Sequence, residues 1–289
     1  MSYVSERFNL RQDNIEKIQS IKPEFGFGLF GSIVFYRTYS RLTEKGTQER
    51  WHDTIIRVIE GIISIRKDYY KKHGLKWNEK YWQDFARDMA VSMVKMEWLP
   101  PGRGLNHMGT HYMYERGAAC LYNCLHKDIS NDSFAKDFAF LKDALMMGVG
   151  TGLSAYSTPN LITYLPNNQT EIFIIEDTRE SWVDSVEKLI NSYLVPDSPT
   201  IEFDYSQIRP IGREIKGFGG YSSGPDPLKK LHNRICAYLT NYHNKIKDYS
   251  RTRLIADIIN AIAACVISGN SRRSALLTLG EPTDNIFLN

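Results

Sequence analysis

The stretch LPPGRGLNHMGTHYMYERGAACLYNC, Leu99 to Cys124, separates two parts of the chain with different character. It opens on Pro100-Pro101, carries four glycines and ends on Cys124, directly after Asn123. Proline fixes φ and glycine releases it, so the stretch reads as shaped backbone rather than as a regular element. Helical patterns flank it on both sides. A long shaped loop that delivers one thiol suits cysteine chemistry. A surface connection holding a buried structural cysteine accounts for the same residues equally well.

Upstream, residues 1–22 read as a short polar arm and a helix. FGFGLFGSIVFYRTYSR (Phe25 to Arg41) follows, and its β-branched and aromatic run Ser32 to Tyr39 predicts a strand. Ile55, Val58, Ile59, Ile62 and Ile65 recur at helical steps and predict a helix over Thr54 to Tyr70. Phe85, Met89, Val91, Met93, Val94 and Met96 predict another over Asp84 to Leu99, with its methionines as core filler. The expected division is a mostly helical region, residues 1–98, and a second region, residues 99–289.

Downstream, Asn131-Asp132-Ser133 offers helix caps, and Phe134 to Met147 reads as an amphipathic helix. Gly148-Val149-Gly150-Thr151-Gly152 follows, then a strand over Leu153 to Tyr156. Helix, glycines, strand is the reverse of the dinucleotide-binding order, so these glycines instead let backbone approach a ligand. Residues 157–172 read as turns. Trp182, Val186, Leu189, Ile190 and Tyr193 give Glu176 to Leu194 an apolar helical face, and Ile201 to Phe203 reads as a short strand. IRPIGREIKGFGGYSSGPDPL (Ile208 to Leu228) sets Arg209, Arg213 and Lys216 among five glycines. Basic side chains with accessible backbone N–H groups suit phosphate; a surface hairpin explains the stretch as well. Leu228 to Tyr242 and Leu254 to Ser268 read as helices, Gly269 to Gly280 as a turn into a strand, and the end carries no evident element.

Of 289 residues, 42% are hydrophobic and 24% charged, which is globular composition long enough for one large or two ordinary domains. A net charge of +3 argues for neither nucleic acid nor a membrane surface. The four cysteines match no zinc motif or disulfide scaffold, and Cys236 and Cys265, among apolar neighbours, read as core. His107 and His111 read as exposed loop histidines without a third ligand, so no metal site is expected. The polar start MSYVSERFNL resembles no signal peptide, and Asp257 and Asn260 interrupt the longest apolar run. A reducing, cytoplasmic setting is expected.

Taken together, several stretches resemble the monomeric, adenosylcobalamin-dependent (class II) ribonucleotide reductases. They are FYRTYSR (Phe35 to Arg41), the pattern Glu49, Trp51 to Arg57 and Glu60-Gly61, PPGRGL (Pro100 to Leu105), Gly109-Thr110, Asn123-Cys124 and GVGTG (Gly148 to Gly152). DTRESW (Asp177 to Trp182), FDYSQIRP (Phe203 to Pro210), IKGFGGYSSGPDPL (Ile215 to Leu228) and GNSRRSALLTLG (Gly269 to Gly280) continue them in the family's order.

The resemblance implies an α/β fold: a helical N-terminal region followed by the first half of a ten-stranded barrel. It implies reduction of ribonucleotides, as triphosphates, by a thiyl radical and a redox cysteine pair, with adenosylcobalamin as cofactor and thioredoxin or glutaredoxin as electron donor. Cys124 matches one member of the pair, on the first barrel strand, with Cys120 as a structural bystander. Asn123, Gly150, Thr151 and Gly152 would line the substrate. Gly217, Gly219, Gly220 and Ser222 fall on the loop that reports a nucleoside triphosphate effector, with Asp177, Arg179, Arg213 and Lys216 near it. No membrane or nucleic-acid partner is implied.

Two departures stand out. The family's Asn-Pro-Cys-x-Glu loop, which bears the radical cysteine, is absent, as are the C-terminal shuttle cysteines. The chain is therefore expected to be an N-terminal part that needs a complementary polypeptide. The interval between GVGTG and DTRESW, residues 153–176, is shorter than in the best-known members, where it helps form the effector pocket. The shortening keeps open a related reductase with a separate metal-containing radical subunit; a nucleotide-binding fragment without chemistry is a further alternative.

Overall fold

The computed structural model describes residues 3–26, 28–43, 46–215, 221–268 and 275–288. The chain folds as two compact units, Met1–Leu121 and Tyr122–Asn289.

The first unit is helical: α1 (Gln12–Gln19), α2 (Leu29–Thr38), α3 (Trp51–Lys72), α4 (Glu79–Val94), α5 (Gly102–His107) and α6 (His111–Arg116), then a 3₁₀ turn at Ala118–Leu121. α3 is its axis. Ile55, Val58, Ile59 and Ile63 are buried against Ala86, Ala90, Met93 and Val94 of α4. Asp53 accepts from the Arg50 N–H to cap α3, and Asn78 accepts from the Tyr81 N–H to cap α4.

Three expectations are corrected here. The strand expected over Ser32 to Tyr39 is helix α2. Its β-branched residues yield to tertiary packing: Phe35 is buried edge-on against Trp51, 5.1 Å between ring centroids. The Leu99–Cys124 stretch is not free of regular structure, since its glycines join α5, α6 and the 3₁₀ turn. At Gly109 (φ +72°) an added Cβ would collide with the Arg57 carbonyl, so the two segments meet backbone to backbone. His107 is buried rather than exposed. Burial, with the neighbouring Arg41, Arg103 and Arg57, lowers its imidazole to about 4.

Asp68 secures the N-terminal arm to α3. It accepts from the Ser5 hydroxyl and from the Ser5 and Glu6 N–H groups, and pairs with Lys72 at 2.6 Å. Burial alone would raise this carboxyl, but the Lys72, Ser5 and Glu6 hydrogen bonds outweigh it and bring it down to about 2. Its stabilising contribution is therefore full above the unfolded value near 4 and is lost as pH falls towards 2. Up to about 2 kcal/mol of acid-dependent stability is expected to vanish in Asp68→Asn, measured by urea unfolding from pH 5 to pH 2. An unchanged pH dependence would refute this assignment.

The second unit is mixed α/β. It contains β1 (Cys124–Asp128), α7 (Phe134–Met146), β2 (Gly150–Ala155), β3 (Asn167–Ile174), α8 (Arg179–Asn191), β4 (Pro199–Asp204), α9 (Asp226–His243), α10 (Arg251–Ile267), β5 (Leu276–Gly280) and α11 (Asn285–Leu288). β1, β2 and β5 form one parallel sheet in that order; β3 and β4 form a parallel pair. Parallel neighbours need a crossover, and α7 supplies it between β1 and β2. β3 lies partly in the region expected to be all turns, and α11 is an end element that the sequence did not suggest.

α7 to α10 share one core with the inner face of the larger sheet, including Phe138, Leu141, Leu145, Leu153, Val186, Ile235 and Ile258. Cys265 lies in it, and Cys236 is half-buried at its margin. Buried Arg251 on α10 ties the sheet down. Its guanidinium donates to Asn131 Oδ1 at 2.8 Å and to the carbonyls of Ile129 and Tyr156 beyond the ends of β1 and β2.

Candidate functional site

In a strand, alternate side chains face opposite ways. β1 therefore turns Leu125 and Lys127 to one side and Cys124, His126 and Asp128 to the exposed side. The parallel register sets Cys124 beside Gly150, His126 beside Gly152 and Asp128 beside Ser154. The Gly150 N–H donates to the Asn123 carbonyl at 2.9 Å, which fixes that register where the strand begins. Cys124 is an exposed, unbridged thiol. Gly150, registered beside it, puts no side chain against the sulfur. Thr151, next on β2, points to the covered side, where its hydroxyl is buried without a hydrogen-bond partner.

His126 extends this polar row. Its Nε2 lies 3.0 Å from Ser154 Oγ and 3.3 Å from Asp128 Oδ1. A Cβ at position 152 would come 3.0 Å from Nδ1, so glycine makes room for the ring. Hydrogen bonds from Ser154 and His126 hold the Asp128 carboxyl below the usual range. The sequence reading passed over His126 because it belongs to no motif.

A second feature of this unit is a cleft of about 110 Å³, lined among others by Lys142, Asp177, Arg179, Trp182, Arg209 and Ser222. Three predicted residues thus meet there: Asp177, Arg179 and Ser222. The Thr178 hydroxyl caps α8 by accepting from the Ser181 N–H, which sets Asp177 and Arg179 astride the helix start. Arg179 pairs with Asp143 at 2.7 Å and Glu180 at 3.2 Å. Burial raises the Asp143 carboxyl despite the neighbouring Arg179. Asp177 accepts from Arg209 Nε at 2.7 Å, and Arg209 also donates to the Glu214 carbonyl. Arg213 is exposed. Its carbonyl accepts from the Ser222 N–H, while the Ser222 carbonyl accepts from the Gly212 N–H, closing a hairpin. Lys216, Gly217, Gly219 and Gly220 lie outside the described residues.

The ribonucleotide reductase alpha domain matches residues 10–110, and the insertion domain of B12-dependent ribonucleotide reductase matches residues 154–239. Over both stretches the chain resembles the B12-dependent ribonucleotide reductases. Reductase relatives from Dictyostelium discoideum and Euglena gracilis are each 38% identical over 98% of this chain. The Euglena protein is named adenosylcobalamin-dependent ribonucleoside-triphosphate reductase, as is a Lactobacillus leichmannii relative, 29% identical over 99% of the chain. A crystal structure of a B12-dependent (class II) ribonucleotide reductase superimposes with a TM-score of 0.81 at 26% identity, over 97% of this chain and 45% of that one. The chain spans 39% of the length of the Dictyostelium and Euglena relatives.

In this chain the sequence gives no sign of Lys142 as a cleft residue and leaves Arg209 among the general basic residues of its loop. Lys142 sits on α7, where a single lysine reads as a solvent-facing residue; only the packing of α8, α9 and α10 around it encloses it. Among the described residues no group of three or more His, Cys, Asp or Glu could hold a metal ion, and no helix is long and apolar enough to cross a membrane.

Proposed function

We propose that this chain carries one of the two reducing cysteines and the effector cleft of a ribonucleoside-triphosphate reductase. The observation that carries the proposal is Cys124, exposed at the start of β1 with the side-chain-free Gly150 registered beside it. A reductant thiol must reach a ligand and be reduced again by exchange, and an accessible strand-end sulfur meets both needs. In the reaction proposed, a thiyl radical removes the ribose 3′ hydrogen. The 2′ hydroxyl leaves as water, and two thiols become a disulfide, which supplies the two electrons. Asn123, Gly150 and Gly152 border the ribose, with backbone rather than side chains at the glycines; Thr151, whose side chain turns to the covered side, contributes main chain only.

Asp177, Arg179, Arg209 and Ser222 suit the phosphates and ribose of an effector nucleotide: guanidinium groups for the former, a carboxylate for hydroxyls. Arg213 lies on the same loop as Arg209. Adenosylcobalamin belongs to the family, and the insertion-domain match favours it over a separate radical subunit. The cleft is lined by Arg179, Arg209, Asp177 and Ser222, a set suited to phosphates and hydroxyls rather than to the apolar face of a corrin, so it is not where that cofactor would be held. In this reading the radical-bearing Asn-Pro-Cys-x-Glu loop and further barrel strands are supplied by a complementary polypeptide. Thioredoxin or glutaredoxin, in the cytoplasm, would restore the cysteine pair.

The test is to combine this chain with a polypeptide covering the rest of a relative's length. Conversion of a ribonucleoside triphosphate to its 2′-deoxy form is then assayed with adenosylcobalamin and a dithiol. Product is expected from the combination and none from this chain alone. If both parts are soluble and bound to each other yet yield no product, the proposal fails.

A further inference from the structure

Lys142 is fully buried on α7, yet it lines the cleft. Its ammonium donates to the Trp182 carbonyl, a group that also takes the Ser185 hydroxyl at 2.8 Å and needs no further donor. Among the described residues that line the cleft, Arg179 and Arg209 each pair with a carboxylate, whereas Lys142 has no carboxylate within ion-pair distance. The titratable groups facing it supply little compensation. Asp184 on α8 acts only from a distance, burial pushes the Cys265 thiol on α10 up, and burial keeps His232 on α9 neutral. A buried cation without a counter-charge carries a heavy desolvation cost, and an apolar side chain of the same volume would fill the space without it. Among the described residues that line the cleft, the cation without a carboxylate partner is thus Lys142.

We propose that Lys142 is the anion-sensing residue of this cleft: a phosphate-bearing ligand seated by Arg179, Arg209 and Ser222 draws a proton onto Nζ and is held by the charge so created. This rests on the reading of the cleft as a nucleotide phosphate site. The proton comes from solvent, and no other bond changes. Burial lowers the Lys142 ammonium to about 8, so near that pH the unliganded group is about half protonated, and an added anion restores the remainder.

The experiment is titration calorimetry of the purified chain at pH 8 with dATP and, separately, with inorganic tripolyphosphate, each in two buffers of different ionisation enthalpy. Binding is expected to take up about half a proton per ligand. Lys142→Met should bind about ten- to a hundredfold more weakly, with no uptake. Lys142→Arg, protonated throughout, should bind near the wild-type affinity, also without uptake. Thermal unfolding of Lys142→Met should show no loss of stability, as expected for removal of a buried unpaired charge; a large loss would point to a purely structural lysine. Lys142→Met binding with wild-type affinity and uptake overturns the inference alone. Wild-type binding without proton uptake overturns it even if the methionine variant does not fold. Failure of wild type to bind either ligand overturns the phosphate reading of the cleft, and the inference with it.

Discussion

Cys124→Ser is expected to bring dithiol-driven ribonucleotide reduction, in the protein assembled to the relatives' full length, down to background. Serine fills nearly the same volume at an exposed strand end, so fold and ligand binding in the cleft should be unaltered by circular dichroism and calorimetry. A hydroxyl, however, cannot pair with a second sulfur, and the two electrons that release water have no source. Specificity comes from the other thiols. Cys120 and Cys265 are buried, and burial pushes the half-buried Cys236 upward, which suppresses its thiolate. Cys236→Ser should therefore retain turnover. Wild-type rates in Cys124→Ser would move the reductant role to another residue.

The second large effect is expected at Arg57, which binds the Pro100–Leu105 region to α3. Its guanidinium grips Glu49 in bidentate fashion at 2.6 and 2.9 Å. It also donates to the Leu105 carbonyl at 2.9 Å and to the Met108 carbonyl. Glu49 is buried, with the Thr54 hydroxyl at 2.8 Å as a further donor. Arg57→Ala would strand that carboxylate and two carbonyls away from solvent. Breaking a buried pair from one side costs about 3–5 kcal/mol, and a loss of that size is expected in the urea unfolding of the first unit. Tryptophan fluorescence follows this transition, since Trp51, Trp77, Trp82 and Trp98 lie there. Arg57→Lys should recover part of the loss, because an ammonium cannot reproduce the fork. A loss below about 1 kcal/mol for Arg57→Ala would mean that the pair is replaceable by water.

The long helices were legible because their apolar residues recur at helical steps, and packing agrees with the pattern: Ile55, Val58 and Ile59 in α3, and Val186, Leu189 and Ile190 in α8, are all buried. α2 was not legible. Ile33 and Val34 favour strands locally, and the contact that decides otherwise, Phe35 on Trp51, joins residues far apart in sequence. β3 was hidden for a related reason: it is largely exposed, so no alternation marks it. Cys124 could be found from the Asn-Cys pair, and the cleft residues Asp177, Arg179 and Ser222 from their motifs. Lys142 and His126 could not. The chemical setting of each depends on neighbours brought by separate elements, and neither residue differs in type from an ordinary surface side chain.

The β1–β2 alignment also fixes which edits the gene can tolerate. A strand has only two sides, so one codon gained or lost between the register-setting Asn123–Gly150 contact and the strand body would rotate every later side chain of β1 by half a turn. Leu125 would meet solvent and His126 the oily helices, while the sulfur alone kept its place. Changes in length should therefore be tolerated far better in loops away from this strand, and a deletion scan across residues 117–133 should reveal an intolerant window beginning at Asn123.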